Sequence, residues 1–125
     1  MMINCLCILQ DKVLAYIIKK YISKTPFLKY NERNSMTIET YLDKSKIDLV
    51  IAELNRDTEK DIDKLRATLS EGYFILFNYD NNFKNFEKYQ QSHFLDKNFT
   101  YADFIDTLSL VIDNKTLIEL STKTN

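Results

Sequence analysis

Short apolar runs alternate along this chain with segments whose apolar residues recur every three or four positions, and that alternation leaves few ways to fold. Ile3 to Leu9 is a continuous apolar run of the kind expected in a strand buried on both faces. Val13, Leu14, Ile17, Ile18, Tyr21 and Ile22 follow at helical spacing, with Lys19, Lys20 and Lys24 on the wet side. Asp11 is placed to cap this helix and Pro26 to stop it. Phe27 to Asn31 is a second strand candidate, and Ser35 can cap a short helix presenting Met36, Ile38, Tyr41 and Leu42. Ile47 to Ala52 is a third strand, rich in β-branched residues. Thr58-Glu59-Lys60-Asp61 has the pattern of a capping box before a helix with Ile62, Leu65 and Leu69 on one face. Gly72 stands where a left-handed C-terminal residue would. Tyr73 to Tyr79 is a fourth strand, followed by a short aromatic helix with Phe83, Phe86 and Tyr89. His93 to Leu95 is a brief fifth strand, and Thr100-Tyr101-Ala102-Asp103 opens a last helix carrying Phe104, Ile105, Leu108 and Ile112.

Five strands alternating with five helices imply an α/β fold, a three-layer α-β-α sandwich around one five-stranded parallel sheet. A single Gly and a single Pro argue against an all-β alternative, which needs turn residues at every hairpin. At 125 residues one domain with one core is expected, taken as residues 1–114, with 115–125 as a helix extension or the start of a linker. Seventeen Lys and Arg against eighteen Asp and Glu leave a net charge of -1, so the chain carries no electrostatic footprint for nucleic acid or an anionic membrane. No stretch approaches the ~18 apolar residues of a membrane span. Met1 to Leu9 lacks the basic flank and small-residue cleavage site of a signal peptide. Cys5 and Cys7, two positions apart on a strand, read as buried free thiols, which fits a reducing cytoplasm.

In parallel α/β sheets, ligand chemistry gathers at the carboxyl ends of the strands near the switch in strand order. Gln10, Asp11, Glu53, Asn78 and Lys97 occupy those positions. The other polar candidates are weaker. His93 is the only histidine and suits a partly exposed edge strand without chemistry. The aromatic residues Tyr79, Phe83, Phe86 and Tyr89 suit packing of a helix on the sheet better than base stacking, because their segment is close to neutral. A flavin phosphate would need a Ser-, Thr- or Gly-rich loop after the first strand, and Gln10-Asp11-Lys12-Val13 offers none. One His and two buried Cys build no nucleophile-base pair, so no enzymatic activity is expected.

From Ile3 to Ile112 the chain resembles the receiver domain of two-component response regulators, a flavodoxin-like (βα)5 fold, and most closely receivers attached to LytTR-type DNA-binding domains. The segments that carry the likeness are Ile8-Leu9-Gln10-Asp11-Lys12, Ile47-Asp48-Leu49-Val50-Ile51-Ala52-Glu53, Ile75-Leu76-Phe77-Asn78 and Phe94-Leu95-Asp96-Lys97. In that family two acids after the first strand hold Mg²⁺, and an Asp ending the third strand accepts a phosphoryl group. A Thr or Ser ends the fourth strand, and Lys-Pro ends the fifth. Here the acidic pair is Gln10-Asp11, the acceptor is Glu53, the Thr/Ser position is Asn78, and Lys97 precedes Asn98. Leu54-Asn55-Arg56-Asp57 lacks the family's Met-Pro, and Asp61 replaces a usual Gly.

The resemblance therefore implies a degenerate phosphoacceptor pocket with weak or absent Mg²⁺ binding and no other cofactor. Glu53, one methylene longer than Asp, is expected within reach of Lys97 and the Asn78 amide. Such a contact would either hold an active-like state or merely hold the fold. Phe94 falls at the family's switch aromatic. The function implied is a pseudo-receiver in signal transduction that acts through a protein partner or homodimer contact over residues 81–112, with a histidine kinase as a possible partner and no direct DNA binding by this domain. The alternative is a working phosphorelay receiver with a noncanonical acceptor, coupled to a LytTR-type domain outside this chain.

Overall fold

The computed structural model describes residues 3–32, 47–69, 73–77, 89, 92–96 and 98–123, the last ten of these through their backbone. The strands are β1 (Ile3–Ile8), β2 (Leu28–Glu32), β3 (Leu49–Glu53), β4 (Phe74–Phe77) and β5 (His93–Leu95). The helices among the described residues are α1 (Lys12–Ser23), α2 (Glu59–Arg66) and α3 (Tyr101–Lys123). All neighbouring strands pair in parallel, in the order β2-β1-β3-β4-β5. The order reverses between β1 and β3, so the crevice of a doubly wound sheet opens at their carboxyl ends. This is the α/β architecture expected from the alternating pattern, with the flavodoxin-like topology that the resemblance implies. The expected helix opening at Ser35 and the residues Gly72, Phe83 and Phe86 lie outside the described residues.

The continuous apolar runs have a simple cause. Successive side chains of β1, β3 and β4 point to opposite faces, and both faces are covered. On one face Cys5, Cys7, Leu49, Ile51, Ile75 and Phe77 meet α1 through Leu14, Ile18 and Ile22, and α3 through Phe104, Leu108 and Val111. On the other, Leu6, Ile8, Val50, Ala52, Phe74 and Leu76 meet Ile62 and Leu65 of α2. Val13, assigned to the apolar side of α1 from its spacing, is instead exposed. The buried stripe of α1 runs through Leu14, Ile18 and Ile22 instead. Val111, missed by the spacing argument, is buried.

Two helix starts were read from capping patterns, and they behave differently. At α3 the pattern holds: Thr100 Oγ1 accepts the Asp103 N–H at 3.1 Å and Asp103 Oδ2 accepts the Thr100 N–H at 2.9 Å. At α2 it does not. The Thr58 hydroxyl donates to the Glu53 carbonyl at 2.6 Å and makes no side-chain cap. Asn55 Oδ1 instead accepts the N–H groups of Asp57 (2.9 Å) and Thr58 (3.1 Å), while its carbonyl accepts that of Glu59 at 3.0 Å. The first turn of α2 thus begins three residues before the proposed box, with Asn55 as its cap.

Candidate functional site

Glu53 is the last residue of β3, paired with Phe77 of β4, and it reaches the mouth of the crevice between β3 and β1. Its side chain is only 8% exposed. A carboxylate in such a place needs donors, and the β1–α1 loop supplies them from its backbone. Glu53 Oε1 accepts the N–H of Gln10 at 2.7 Å and that of Asp11 at 2.6 Å. Consecutive backbone N–H groups just before a helix form a ready anion site, reinforced by the helix dipole. Here the protein's own carboxylate fills that site.

The neighbouring side chains are also committed. Asp11 Oδ1 accepts the N–H groups of Val13 (2.8 Å) and Leu14 (3.2 Å), so Asp11 is the N-cap of α1 as its position suggested. Gln10 Oε1 accepts from Asn55 Nδ2 at 2.9 Å, which ties the β1–α1 loop to the cap of α2. Asn55 and Thr58 were not singled out as site residues, yet together they fix the loop behind Glu53. An Asn two residues past the strand end, at N-cap spacing from Thr58, was the available signal. The partners of Glu53 were invisible for a different reason: they are backbone groups, which no residue type announces.

Of the five residues placed at this edge from sequence, the structure brings together Gln10, Asp11 and Glu53. Asn78 and Lys97 lie outside the described residues, so the expected contact of Glu53 with them does too. Phe94, which the resemblance places at the switch aromatic, is 40% exposed on the edge strand β5. His93 is half-buried on the same edge strand, as anticipated. Tyr89 is fully buried; its hydroxyl donates to Asp63 Oδ1 at 2.8 Å and its ring lies 4.7 Å from the Arg66 guanidinium.

The residues present fit Mg²⁺ poorly. The ion requires near-octahedral oxygen ligation, with one or two carboxylates beside its waters. Glu53 Oε1 and Asp11 Oδ1 each already accept two N–H groups, which leaves one oxygen on each carboxylate, and Gln10 brings only a neutral amide bonded to Asn55. Among the described residues no three His, Cys, Asp or Glu side chains are grouped to hold a metal.

Both cysteines are free and buried on β1. Burial, with a lesser contribution from the nearby Asp48 charge, pushes the Cys5 thiol up to about 12 from 9.0. Cys7 is pushed up as well, first by burial and then by Cys5 and Glu32. Such thiols stay protonated and unreactive at neutral pH.

No protein-family model matches the sequence, and no curated protein matches it. Among solved structures, the signal receiver domain of an HD domain-containing protein from Pseudomonas fluorescens Pf-5 superposes with a TM-score of 0.73. The chain has the receiver-domain fold. The superposition covers 93% of this chain and 98% of that domain at 16% sequence identity. The likeness is one of fold, in the order of strands and helices.

Proposed function

We propose that this chain is a pseudo-receiver: a receiver-type signalling module that works through protein contacts and accepts no phosphoryl group. The observation that carries the reading is the state of Glu53. The carboxylate at the acceptor position is buried and spends one oxygen on two backbone N–H groups. Phosphoryl transfer to a carboxylate needs a free nucleophilic oxygen and a divalent ion to gather charge on the transferring group. Two N–H bonds pin the Glu53 carboxylate to the loop and leave only its second oxygen for the first, and Gln10 with the capping Asp11 is poorly suited to the second. In this reading the chain is not an enzyme, acts in the cytoplasm and signals through the β5–α3 side. The finer likeness to receivers preceding LytTR-type DNA-binding domains rests on the four strand-end segments alone.

The test is incubation with a small phosphodonor and Mg²⁺, followed by intact-mass measurement. The expected result is an unchanged mass. A gain of one phosphoryl group mapped to Glu53 or Asp11 overturns the proposal and favours a working relay with a noncanonical acceptor.

A further inference from the structure

The near-neutral net charge conceals a strong separation. Helix α1 carries Lys12, Lys19 and Lys20 and no acidic residue, and all three lysines are exposed. Between them on the same face stands Tyr16, 67% exposed, one turn from Lys12 and one turn from Lys19 and Lys20. The first thirteen residues of α3 carry Asp103, Asp106 and Asp113 and no basic residue, and all three aspartates are exposed. Leu110, 57% exposed, lies at helical spacing between Asp106 and Asp113.

Alongside α3 a cleft of about 360 Å³ opens against β5, lined by Phe94, Leu95, Phe99, Asp96, Asp103 and Asp106. Its walls are aromatic and its rim is anionic. The large hydrophobic side chains exposed among the described residues are Val13, Tyr16, Phe27, Phe94 and Leu110. The first three lie on α1 or just before β2, and the last two on β5 and α3.

The two faces lie at opposite edges of the sheet. Lys19 leans over the Tyr30 ring of the edge strand β2 at 5.7 Å, whereas the acidic cleft borders the other edge strand, β5. Although α1 and α3 share one layer and touch through Tyr21 and Tyr101 at 5.0 Å, no ion pair joins their lysines and aspartates among the described residues. A basic ridge with an aromatic knob and an acidic, aromatic cleft are thus both on the same chain, complementary and out of reach of each other.

We propose that a second copy of this chain is the occupant of the β5–α3 cleft, seated by its α1 ridge with Tyr16 in the aromatic cleft and Lys19 and Lys20 against Asp96 and Asp106. This deepens the contact-module reading and rests on it. Because the two surfaces differ, the contact is head-to-tail: each copy keeps one ridge and one cleft free, and association continues into a ring or an open chain instead of stopping at two. Opposite charges at the rim set the register and speed the encounter, and salt screens them.

Sedimentation of the full chain from micromolar to near-millimolar concentration tests this. The average mass should pass beyond two copies, and raising salt from about 0.05 M to about 0.5 M should weaken association roughly tenfold. Two variants carry exposed substitutions away from Glu53: Lys19→Glu with Lys20→Glu, and Asp96→Lys with Asp106→Lys. Each alone should lose association at least tenfold while keeping its circular dichroism spectrum. An equimolar mixture should regain it, since each altered face then meets its opposite. A strict monomer, or a mixture that stays dissociated, overturns the proposal. A dimer that stops at two copies and ignores the lysine reversals also overturns it, yet leaves the contact-module reading standing. That reading fails separately, by phosphoryl gain in the mass experiment.

Discussion

Glu53 differs from a phosphoacceptor Asp by one methylene, and that methylene carries the carboxylate to the backbone of Gln10 and Asp11. Replacing it with Ala leaves two buried-edge N–H groups without an acceptor. The expected cost in a urea titration is about 2–4 kcal/mol, because each orphaned donor costs about 1–3 kcal/mol and part is recovered by water. Glu53→Gln keeps an acceptor oxygen and loses only the charge, so it should cost about 1 kcal/mol. If the two variants destabilise equally, the bonds to the β1–α1 loop are not what holds Glu53 in place. The strand-end position of Glu53 beside Gln10 and Asp11 was legible in the sequence. Its bonds to their backbone N–H groups were not, since no residue type announces a backbone donor.

At the scale of elements, the edge strand β5 was read at its observed bounds, His93–Leu95, and β1 to within one residue, Ile3–Ile8. Boundaries drifted by a residue or two at β2 and β3, because parallel pairing and not composition sets where the ladder ends. Helix α2 shows how a local pattern is overruled. Thr58 and Asn55 both have capping side chains, and the chain uses the Thr58 hydroxyl to satisfy the Glu53 carbonyl at the end of β3. That leaves Asn55 to receive the first free N–H groups of the turn. Asn55→Ala should therefore lower stability by about 1 kcal/mol in thermal or urea unfolding, the usual cost of losing an N-cap. Asn55→Asp should retain it, since the carboxylate accepts the same bonds, at the expense of the Asn55 Nδ2 bond to Gln10 Oε1. Equal losses in both variants would place the weight on the Gln10 bridge instead of the cap.

For the whole molecule, β1 crosses the centre of the structure with both cysteines in the core shared by α1 and α3. The alternation of strand and helix announced this layering, and it held because periodicity reports which faces must leave water. The thiols give it a pH signature. Burial pushes the Cys5 thiol up to about 12 from an ordinary 9.0 and pushes Cys7 in the same direction. Above about pH 9 the unfolded chain therefore loses thiol protons that the native chain keeps, and stability falls as pH rises. Below that pH both states hold their protons and the thiols add no slope. At about one unit above the unfolded value Cys5 should cost about 1.4 kcal/mol, and Cys7 acts in the same direction. Lysines and tyrosines also ionise in this range, so the comparison is with Cys5→Ala combined with Cys7→Ala. That variant starts less stable through lost packing, by an amount that does not change with pH. Its urea midpoint should fall less steeply between about pH 8.5 and about pH 10.5 than that of the parent chain. Parallel curves would mean that the thiols ionise as readily in the folded chain as in the unfolded one, and the packing of β1 between its two helices would have to be looser than the structure describes.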